Sequence, residues 1–212
     1  MPDGGARADR TRQIMESCGG LITNDHFVYA SGEHGSGWIV KDVINLDPAR
    51  PRELSEMLAC AVRDAGIEAD VVCGPAVGGV ICAQFTALSL GWTCVFAERG
   101  DDGTSFELRR RYDDVVKGCR VLLVDDIINT GFSTGLVAQA IRAAGGEVVA
   151  VATWINRGNV GGEAFGVDHF IALDEVHLPS IPASECPLCA SGVPVNTDYA
   201  HGREFVAAKR VD

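Results

Sequence analysis

Two adjacent carboxylates at the end of an apolar run are the strongest candidates for chemistry in this sequence. Residues 121–124 predict a buried strand, and Asp125 and Asp126 follow it directly. A turn rich in hydroxyl groups and glycine then opens the next helical pattern, with Asn129, Thr130, Gly131, Phe132, Ser133 and Thr134. Backbone N–H groups and hydroxyls at a helix N-terminus form a nest for a phosphate dianion. Paired carboxylates accept hydrogen bonds from vicinal sugar hydroxyls or lie near Mg²⁺. The order of residues therefore predicts a site for a sugar with a 5-phosphate and free 2- and 3-hydroxyls.

A glycine-rich loop follows an earlier predicted strand, residues 69–73. It consists of Gly74, Pro75, Ala76, Val77, Gly78 and Gly79. Glycines let a backbone approach an anion closely, although Gly-Pro and Gly-Gly are also ordinary turns. In open α/β sheets, ligands bind at the carboxyl ends of the strands, so we expect this loop and the carboxylates at the same edge. An acidic pair that only caps a helix, or the acidic cluster of a receiver-like domain, stays open as an alternative reading of the carboxylates.

The elements that must position these residues form an α/β pattern. Short apolar segments without alternation are separated by helical periodicity, which indicates a parallel sheet covered on both faces. We predict a doubly wound, mainly parallel five-stranded sheet with its core at about residues 50–173. The strands are expected near 69–73, 93–97, 120–124, 147–155 and 169–173, and helices near 54–65, 77–90 and 136–144. Residues 19–47 predict a small N-terminal hood that packs with a C-terminal extension, 177–212, and we expect residues 1–212 to form a single domain.

Charge and composition exclude several classes of protein. The formal net charge is −11, which disfavours a sequence-independent nucleic-acid binder because such proteins need clustered positive charge. Residues 71–97 contain no charged residue, but glycine and proline interrupt them where a membrane-spanning helix must be continuous. The first ten residues have no apolar segment of a signal peptide, and the eight cysteines are typical of reduced thiols in a chain of this length. We therefore expect a cytoplasmic protein without a membrane partner.

Residues 121–134 resemble the phosphoribosyl pyrophosphate (PRPP) motif of the type I phosphoribosyltransferases, which joins an apolar strand, two acidic residues and a Thr-Gly turn. The resemblance implies that Asp125 and Asp126 hold the ribose and that residues 129–134 hold the 5-phosphate, with Asn129 where relatives usually have Thr. It further implies that residues 74–79 bind the pyrophosphate. The expected enzyme is a Mg²⁺-dependent glycosyltransferase of the pentosyltransferase type.

The flanks of the core resemble those of the orotate phosphoribosyltransferases. The aromatic and glycine-rich run at residues 26–42 is similar to their hood, which implies that Phe27, Ser31, Gly32 and Lys41 bind the base. Arg157 follows the fourth predicted strand, where that family has an arginine facing the base. A guanidinium suits the carboxylate and carbonyls of orotate. The implied reaction makes orotidine 5′-phosphate for pyrimidine nucleotide synthesis. Another nucleobase, or a regulatory PRPP binder with weak turnover, remains an alternative.

The polar segment at residues 98–112 predicts a long mobile loop, here called the lid segment. Orotate enzymes commonly use Lys and His on such a loop, often reaching into a neighbouring subunit, but no Lys lies between Lys41 and Lys117. Another branch of the family carries an arginine cluster instead. The resemblance to that branch implies that Arg99, Arg109 and Arg110 neutralise the departing pyrophosphate. It also suggests a homodimer.

Cys186 and Cys189 have the spacing of half a zinc site. A CxxC supplies two of the four ligands that structural zinc requires, and the sequence offers no second pair at a fitting distance. His177, His201 or a second chain would have to complete the set. Since the same orotate branch tends to end on a similar segment, we interpret Cys186 and Cys189 as part of a family tail, and a zinc site is the alternative.

Overall fold

The computed structural model describes residues 4–208, which form seven α-helices and ten strands. The helices are α1 (Gly4–Ser17), α2 (Ala49–Asp64), α3 (Gly78–Leu90), α4 (Tyr112–Val116), α5 (Phe132–Ala143), α6 (Pro187–Ala190) and α7 (Gly202–Ala208). The strands are β1 (Leu21–Ile22), β2 (Phe27–Val28), β3 (His34–Gly35), β4 (Trp38–Ile39), β5 (Val71–Pro75), β6 (Thr93–Arg99), β7 (Phe106–Glu107), β8 (Arg120–Ile128), β9 (Glu147–Asn156) and β10 (His169–Glu175). Short 3₁₀ helices cover Lys41–Leu46, Gly162–Phe165 and Ala183–Glu185.

The main sheet has the order β10-β9-β8-β5-β6-β7. Its first five strands are parallel, which confirms the predicted doubly wound α/β fold and its five strands. The sixth, β7, runs antiparallel to β6 and pairs Arg99 with Phe106. It lies in the lid segment, which the sequence predicted as a loop. A strand of two residues is too short to produce a periodic pattern, so β7 could not be predicted from the sequence.

Two apolar cores cover the two faces of the sheet, because successive side chains of a strand point to opposite sides. On β8, Leu122 and Val124 face a core built with α1, α2 and α3, whereas Val121 and Leu123 face a core built with α5. All four side chains are fully buried. The sequence predicted that this strand ends at Val124, but β8 continues to Ile128 and carries the two carboxylates near its end. Packing on both faces thus fixes the strand that holds them.

Helix α1 has no counterpart among the predicted elements. Its buried side chains are Thr11, Ile14 and Met15, too few to give a clear apolar stripe over 14 residues. It is held partly by a bidentate contact from Arg12 to the buried carboxylate of Asp174 on β10, with Nη2 at 2.9 Å from Oδ1. Tertiary contacts therefore stabilise a helix that the local sequence pattern does not predict.

The hood consists of two small antiparallel pairs, β1 with β4 and β2 with β3. The C-terminal extension contacts the hood through backbone hydrogen bonds. Asn196 N donates to His26 O at 2.7 Å, and His201 N donates to Val28 O at 3.0 Å. The predicted extension runs to residue 212, and its last four positions lie outside the described residues. Within residues 4–208, we find no helix with the length and apolar character needed to cross a membrane.

Candidate active site

A cleft of about 240 Å³ opens at the carboxyl ends of β5, β6 and β8. It brings together three groups that are far apart in sequence: the glycine-rich loop, the two carboxylates with the following turn, and one arginine of the lid segment. The lining comprises Lys41, Pro75, Ala76, Val77, Gly78, Gly79, Arg99, Phe106, Asp125, Asp126, Ile127, Ile128, Asn129, Thr130, Gly131, Phe132, Ser133 and Thr134. Of the loop residues 74–79, which were predicted to bind pyrophosphate, Gly74 is the one that does not line the cleft, and it lies inside β5.

The two carboxylates are almost completely buried, with 8% of Asp125 and 2% of Asp126 exposed. Asp125 accepts hydrogen bonds from Thr134 Oγ1 at 3.0 Å and from the backbone N of Asp126 at 2.9 Å. Asp126 accepts one from the backbone N of Ile127 at 2.7 Å. Burial, reinforced by the charge of Asp126, raises the pKa of Asp125 well above its ordinary value, against the opposing effect of the Thr134 hydroxyl. These bonds fix the carboxylates at the cleft wall.

Lys41 extends from the hood into this cleft. Its Nζ lies 3.4 Å from Oδ2 of Asp126. Burial alone would lower the pKa of Lys41, but the nearby carboxylates of Asp126 and Asp125 outweigh it and leave the pKa raised. The sequence predicted Lys41 as a base-binding residue. The structure puts its ammonium group beside the carboxylate pair, where it supplies the positive charge that the pair needs.

The glycines of the loop are required by close packing against the carboxylates. A Cβ at Gly78 would collide with the carboxylate of Asp126, and a Cβ at Gly79 would lie 2.6 Å from Cδ of Pro75. A Cβ at Gly74 would strike the carbonyl oxygen of Gly79. The loop therefore lies directly against the carboxylate wall, and the peptide bond between Ala76 and Val77 within it is cis.

The N-terminus of α5 forms the far wall of the cleft. Gly131 precedes the helix with a φ of 74°, a left-handed conformation that favours glycine. Thr130 Oγ1 accepts a hydrogen bond from Phe132 N at 3.3 Å. The first N–H groups of any helix have no partner within the helix, and the helix dipole adds positive potential there. Since α5 has twelve residues and Ser133 lines the cleft beside it, this wall has the donors for a phosphate.

The arginines of the lid segment take different positions. Arg99 lines the cleft, and its guanidinium carbon lies 5.3 Å from the centre of the Phe106 ring. Arg109 contacts Asp101 at 2.6 Å and Glu107 at 3.0 Å, and Arg110 pairs with Glu98. Neither is part of the cleft lining in this conformation. Asp102 holds the turn of the segment, and hydrogen bonds from Thr104 and Ser105 lower its pKa.

A second site lies between the hood and the end of β9. The guanidinium carbon of Arg157 is 5.6 Å from the centre of the Tyr29 ring and 5.7 Å from that of Trp38. The two rings stack with centres 6.1 Å apart, and Tyr29 Oη donates to Gly37 O at 2.7 Å. Burial raises the pKa of Tyr29, and the opposing charge of Arg157 only reduces this effect. A cation and two aromatic rings form a surface on which a flat anionic ring can bind.

The sequence identified Arg157 here but not Tyr29 and Trp38. Phe27, which it named, is fully buried and supports the hood from behind, with its ring centre 6.1 Å from that of Trp38. Ser31 and Gly32 lie exposed at the tip of the β2–β3 hairpin, where Ser31 Oγ accepts from Glu33 N at 3.3 Å. The signal for Tyr29 and Trp38 was present, since both are aromatic residues of the same glycine-rich run.

The two cysteines of the C-terminal extension lie against the hood. Cys186 and Cys189 form one group with His26 and His34, and neither His177 nor His201 belongs to it. The histidines come from the beginning of the hood hairpin, more than 150 residues earlier in the chain. Nothing in the CxxC spacing could have identified them, because the pairing depends on how the extension folds back.

Comparison with known proteins gives consistent results. A family model described as "Phosphoribosyl transferase domain" matches residues 43–164. An orotate phosphoribosyltransferase from Sulfurovum sp. is 36% identical over 191 residues, which cover 85% of this chain and 93% of that protein. The crystal structure of the Mycobacterium tuberculosis orotate phosphoribosyltransferase with inorganic phosphate has a TM-score of 0.62 at 21% identity, covering 80% of this chain and 95% of that one. The same enzyme in complex with PRPP has a TM-score of 0.58 at 19% identity, with 82% and 92% covered.

Proposed function

This chain belongs to the phosphoribosyl transferase family, and we propose that it is an orotate phosphoribosyltransferase. It transfers ribose 5-phosphate from PRPP to N1 of orotate, giving orotidine 5′-phosphate and pyrophosphate, a pentosyl transfer. The observation that carries the proposal is the meeting of a buried carboxylate pair, a helix N-terminus and a glycine loop in one cleft. The relatives named for this reaction support the choice of base. The family predicted from residues 121–134 is confirmed.

The donor is bound along the edge of the sheet. Its 5-phosphate lies at the N-terminus of α5, against Thr130 and Ser133, while Asp125 and Asp126 accept hydrogen bonds from the ribose hydroxyls. Its pyrophosphate lies on the loop at residues 74–79, where the glycines allow backbone N–H groups to approach. These three contacts fix the sugar on both sides of C1, so that positioning supplies much of the rate enhancement.

Mg²⁺ is the cofactor we propose, and the donor set of the cleft fits a hard cation because carboxylate oxygens are suitable ligands. All four oxygens of Asp125 and Asp126 already contact the chain: Thr134 Oγ1, the backbone N of Asp126, the backbone N of Ile127 and Lys41 Nζ. We therefore expect the pair to hold the ion only from its side of the cleft, with the donor's own oxygens as the main ligands. When bound, Mg²⁺ neutralises charge on the pyrophosphate.

The bond from C1 to the pyrophosphate oxygen breaks as N1 of orotate forms its bond to the same carbon, and the proton of N1 is released to solvent. Positive charge develops on the ribose and is stabilised by the carboxylates of Asp125 and Asp126. Negative charge develops on the leaving oxygen and is met by Lys41 and Arg99. Arg109 can be released toward it, because exposed ion pairs such as those of Arg109 contribute only about 0.2–1 kcal/mol. Arg110 would first have to leave Glu98, which is half-buried. Closure of the lid segment would then exclude water from the reacting atoms.

The base lies at the second site, with its ring on Tyr29 and Trp38 and its carboxylate toward Arg157. Arg157 N donates to Ile128 O at 2.8 Å, so the backbone carrying this guanidinium is tied to the end of the strand that presents the carboxylate pair. A cation fixed in that way selects an anionic pyrimidine over a neutral one. Ser31 and Gly32 lie near the hairpin tip and close the hood over the base only if the hairpin moves inward.

The function is tested by mixing the purified chain with PRPP, Mg²⁺ and a panel of bases that includes orotate, uracil, adenine and hypoxanthine. Pyrophosphate release and the mass of the nucleotide product are measured together. We expect orotidine 5′-phosphate from orotate and at least 100-fold slower release with the other bases. Faster turnover of another base would overturn the choice of orotate. Tight PRPP binding by titration calorimetry without release would instead identify a regulatory binder.

Three further properties belong to the same proposal. The chain is a single domain, in which the hood and the C-terminal extension pack on the core. It forms a homodimer, the usual assembly of soluble enzymes, with the lid segment contributing to the neighbouring cleft. It acts in the cytoplasm, where its cysteines stay reduced, and no disulfide joins two cysteines of residues 4–208. Light scattering of the purified chain tests the second property, since a monomer at assay concentrations would contradict it.

A further inference from the structure

Four metal-binding side chains meet where the C-terminal extension crosses the hood. His26 directly precedes β2 and His34 begins β3, whereas Cys186 directly precedes α6 and Cys189 lies within it. Their ligand atoms all lie within 4.8 Å of one another, and His26, His34 and Cys186 are buried. None of the four lines the cleft. None of the four side chains has a role in the reaction proposed above.

The three distances between nitrogen and sulfur atoms in the cluster are close to those of a tetrahedral metal site. With Zn–N near 2.05 Å and Zn–S near 2.3 Å, a tetrahedron has edges of about 3.6 Å between nitrogen and sulfur and about 3.3 Å between two nitrogens. His26 Nε2 lies 3.6 Å from Cys186 Sγ and 3.7 Å from Cys189 Sγ, and His34 Nδ1 lies 3.4 Å from Cys189 Sγ. The two nitrogens are 2.9 Å apart, and a small rotation of either ring would open this edge.

The surroundings orient the His26 ring for such a role. Its Nδ1 lies 2.8 Å from the carbonyl oxygen of Val193. A carbonyl only accepts, so Nδ1 carries the proton and Nε2 turns a lone pair toward the cluster. A hydrogen bond from the second ring nitrogen to a backbone carbonyl is the usual outer contact of a metal-bound histidine. The ring is therefore preset in the tautomer that binds a metal.

We propose that His26, His34, Cys186 and Cys189 bind one Zn²⁺ in a closed structural site. Two thiolates and two neutral imidazoles fill the four positions, which leaves none open for catalysis. On binding, the two thiols lose their protons to solvent, so that the site carries no net charge and suits its burial. The ion joins two segments that are adjacent in space but separated by more than 150 residues of chain.

Bound zinc would affect the enzyme by holding the base site in position. This inference about the base site rests on the proposed function. His34 lies in the hairpin between Tyr29 and Trp38, the two rings beneath Arg157. A backbone bridge between His34 and Ile181 continues the contact into the extension. Zinc bound at His34 would fix this hairpin and thereby the base site, while the strand-end cleft keeps its own scaffold. Loss of zinc should therefore raise the KM for orotate and leave the KM for PRPP unchanged.

The first experiment measures zinc in the full chain purified without chelators from zinc-supplemented medium. We expect about one zinc per chain by plasma mass spectrometry. Replacement by Co²⁺ should give the visible d–d bands of a tetrahedral ion and a thiolate charge-transfer band. Cys189→Ser and His26→Gln should lose the metal, whereas Cys60→Ser, which changes an exposed cysteine outside the cluster, should retain it. Zinc below about 0.1 per chain together with an absent Co²⁺ spectrum would overturn the proposal.

The remaining outcomes are also decisive. If the variants fail to fold, zinc content and Co²⁺ spectra of the unaltered chain still decide the matter. A disulfide between Cys186 and Cys189, detected as two missing thiols in a denatured and chelated sample, would contradict the site. Retention of the metal in the Cys186→Ser, Cys189→Ser double variant would place it elsewhere and contradict the site too. Zinc content does not depend on turnover, so a failed orotate assay would leave this result standing, and the reverse is also true.

Discussion

In the proposed function, the cleft and the hood form two halves of one active site, and the two halves are built in opposite ways. In the cleft, the carboxylates lie near the end of β8, the phosphate wall follows that strand and the glycine loop begins at the end of β5, and all lie within the region matched by the family model. The base site joins residues 29 and 38 to Arg157, supported by side chains near residues 186–205. Residues 19–42 and 165–208 lie outside that matched region. Each group of the cleft is thus placed by a short stretch of residues at the end of one strand, whereas the proposed base site depends on residues that are distant in sequence.

The largest expected effect is at the carboxylate pair. Asp126→Ala removes a group that contacts both the sugar and Lys41, and we expect kcat/KM for PRPP to fall about 100-fold to 1,000-fold, as for other lost electrostatic contacts. Steady-state kinetics with both substrates measures it. The control is Asp168→Ala, an exposed carboxylate away from both sites. A loss confined to the KM for orotate would break the division between the two halves.

A smaller loss is expected at the glycine loop. In Gly78→Ala the added Cβ meets the carboxylate of Asp126, so the loop must withdraw from the wall. We expect kcat/KM for PRPP to fall about 10-fold to 100-fold, as the misplacement of a binding loop typically costs. Gly135→Ala is the matched control, since nothing lies within 4 Å of its Cβ. It should be active and more stable by about 0.5–1 kcal/mol in thermal unfolding. Full activity of Gly78→Ala would refute the close packing.

The variant Arg157→Ala tests the role of the proposed base site. Charge-assisted hydrogen bonds contribute about 1.5–3 kcal/mol, so the KM for orotate should rise about 10-fold to 100-fold. The KM for PRPP should change less than about twofold, because Arg157 does not line the cleft. Arg157→Lys should recover part of the loss through its charge, although not the planar fork. Arg52→Ala, an exposed helix arginine, serves as the control. Equal changes in both KM values would count against two separate halves.

The smallest effect concerns stability and pH. The pKa of Asp125 is raised in the fold, so its protonated form stabilises the folded state below the unfolded pKa of about 3.9, and this contribution is lost as the pH rises through the raised value. Asp125→Asn should therefore be more stable than the unaltered chain at pH 8, by about 2–4 °C in Tm for each kcal/mol relieved. The difference should shrink toward pH 4. Thermal melts across this range measure it.

Asp102→Asn is the control of opposite sign. Hydrogen bonds from Thr104 and Ser105 lower the pKa of Asp102, so its ionised form stabilises the fold above the unfolded pKa. Its replacement should lower Tm at neutral pH and have no effect in acid. If both variants shift Tm in the same direction, the buried carboxylate is not a source of strain on the fold.

The sequence predicted the parallel sheet and the cleft well because both depend on local order. Each strand was predicted from an apolar run that is too hydrophobic to be exposed. The residues after each run must lie near the end of its strand, independently of the fold of the rest of the chain. The sequence did not predict the parts of the structure that depend on tertiary contacts. Helix α1 has few buried side chains, β7 has two residues, and the partners of the CxxC lie in a hairpin at the other end of the sequence. The separation of Tyr29 from Arg157 hid the base site in the same way.

The hood hairpin and the C-terminal residues that contact it are far apart in sequence, and this separation sets the order in which the two sites can form during synthesis. A ribosome completes the strands of the parallel sheet by Glu175, so the PRPP cleft has all of its parts when the last strand emerges. Val193, whose carbonyl holds the His26 ring, and Phe205, whose ring lies 4.9 Å from that of His34, emerge only later. In the proposed function, the nascent chain therefore acquires the donor cleft first, and the support of the base site comes only with residues 193–205.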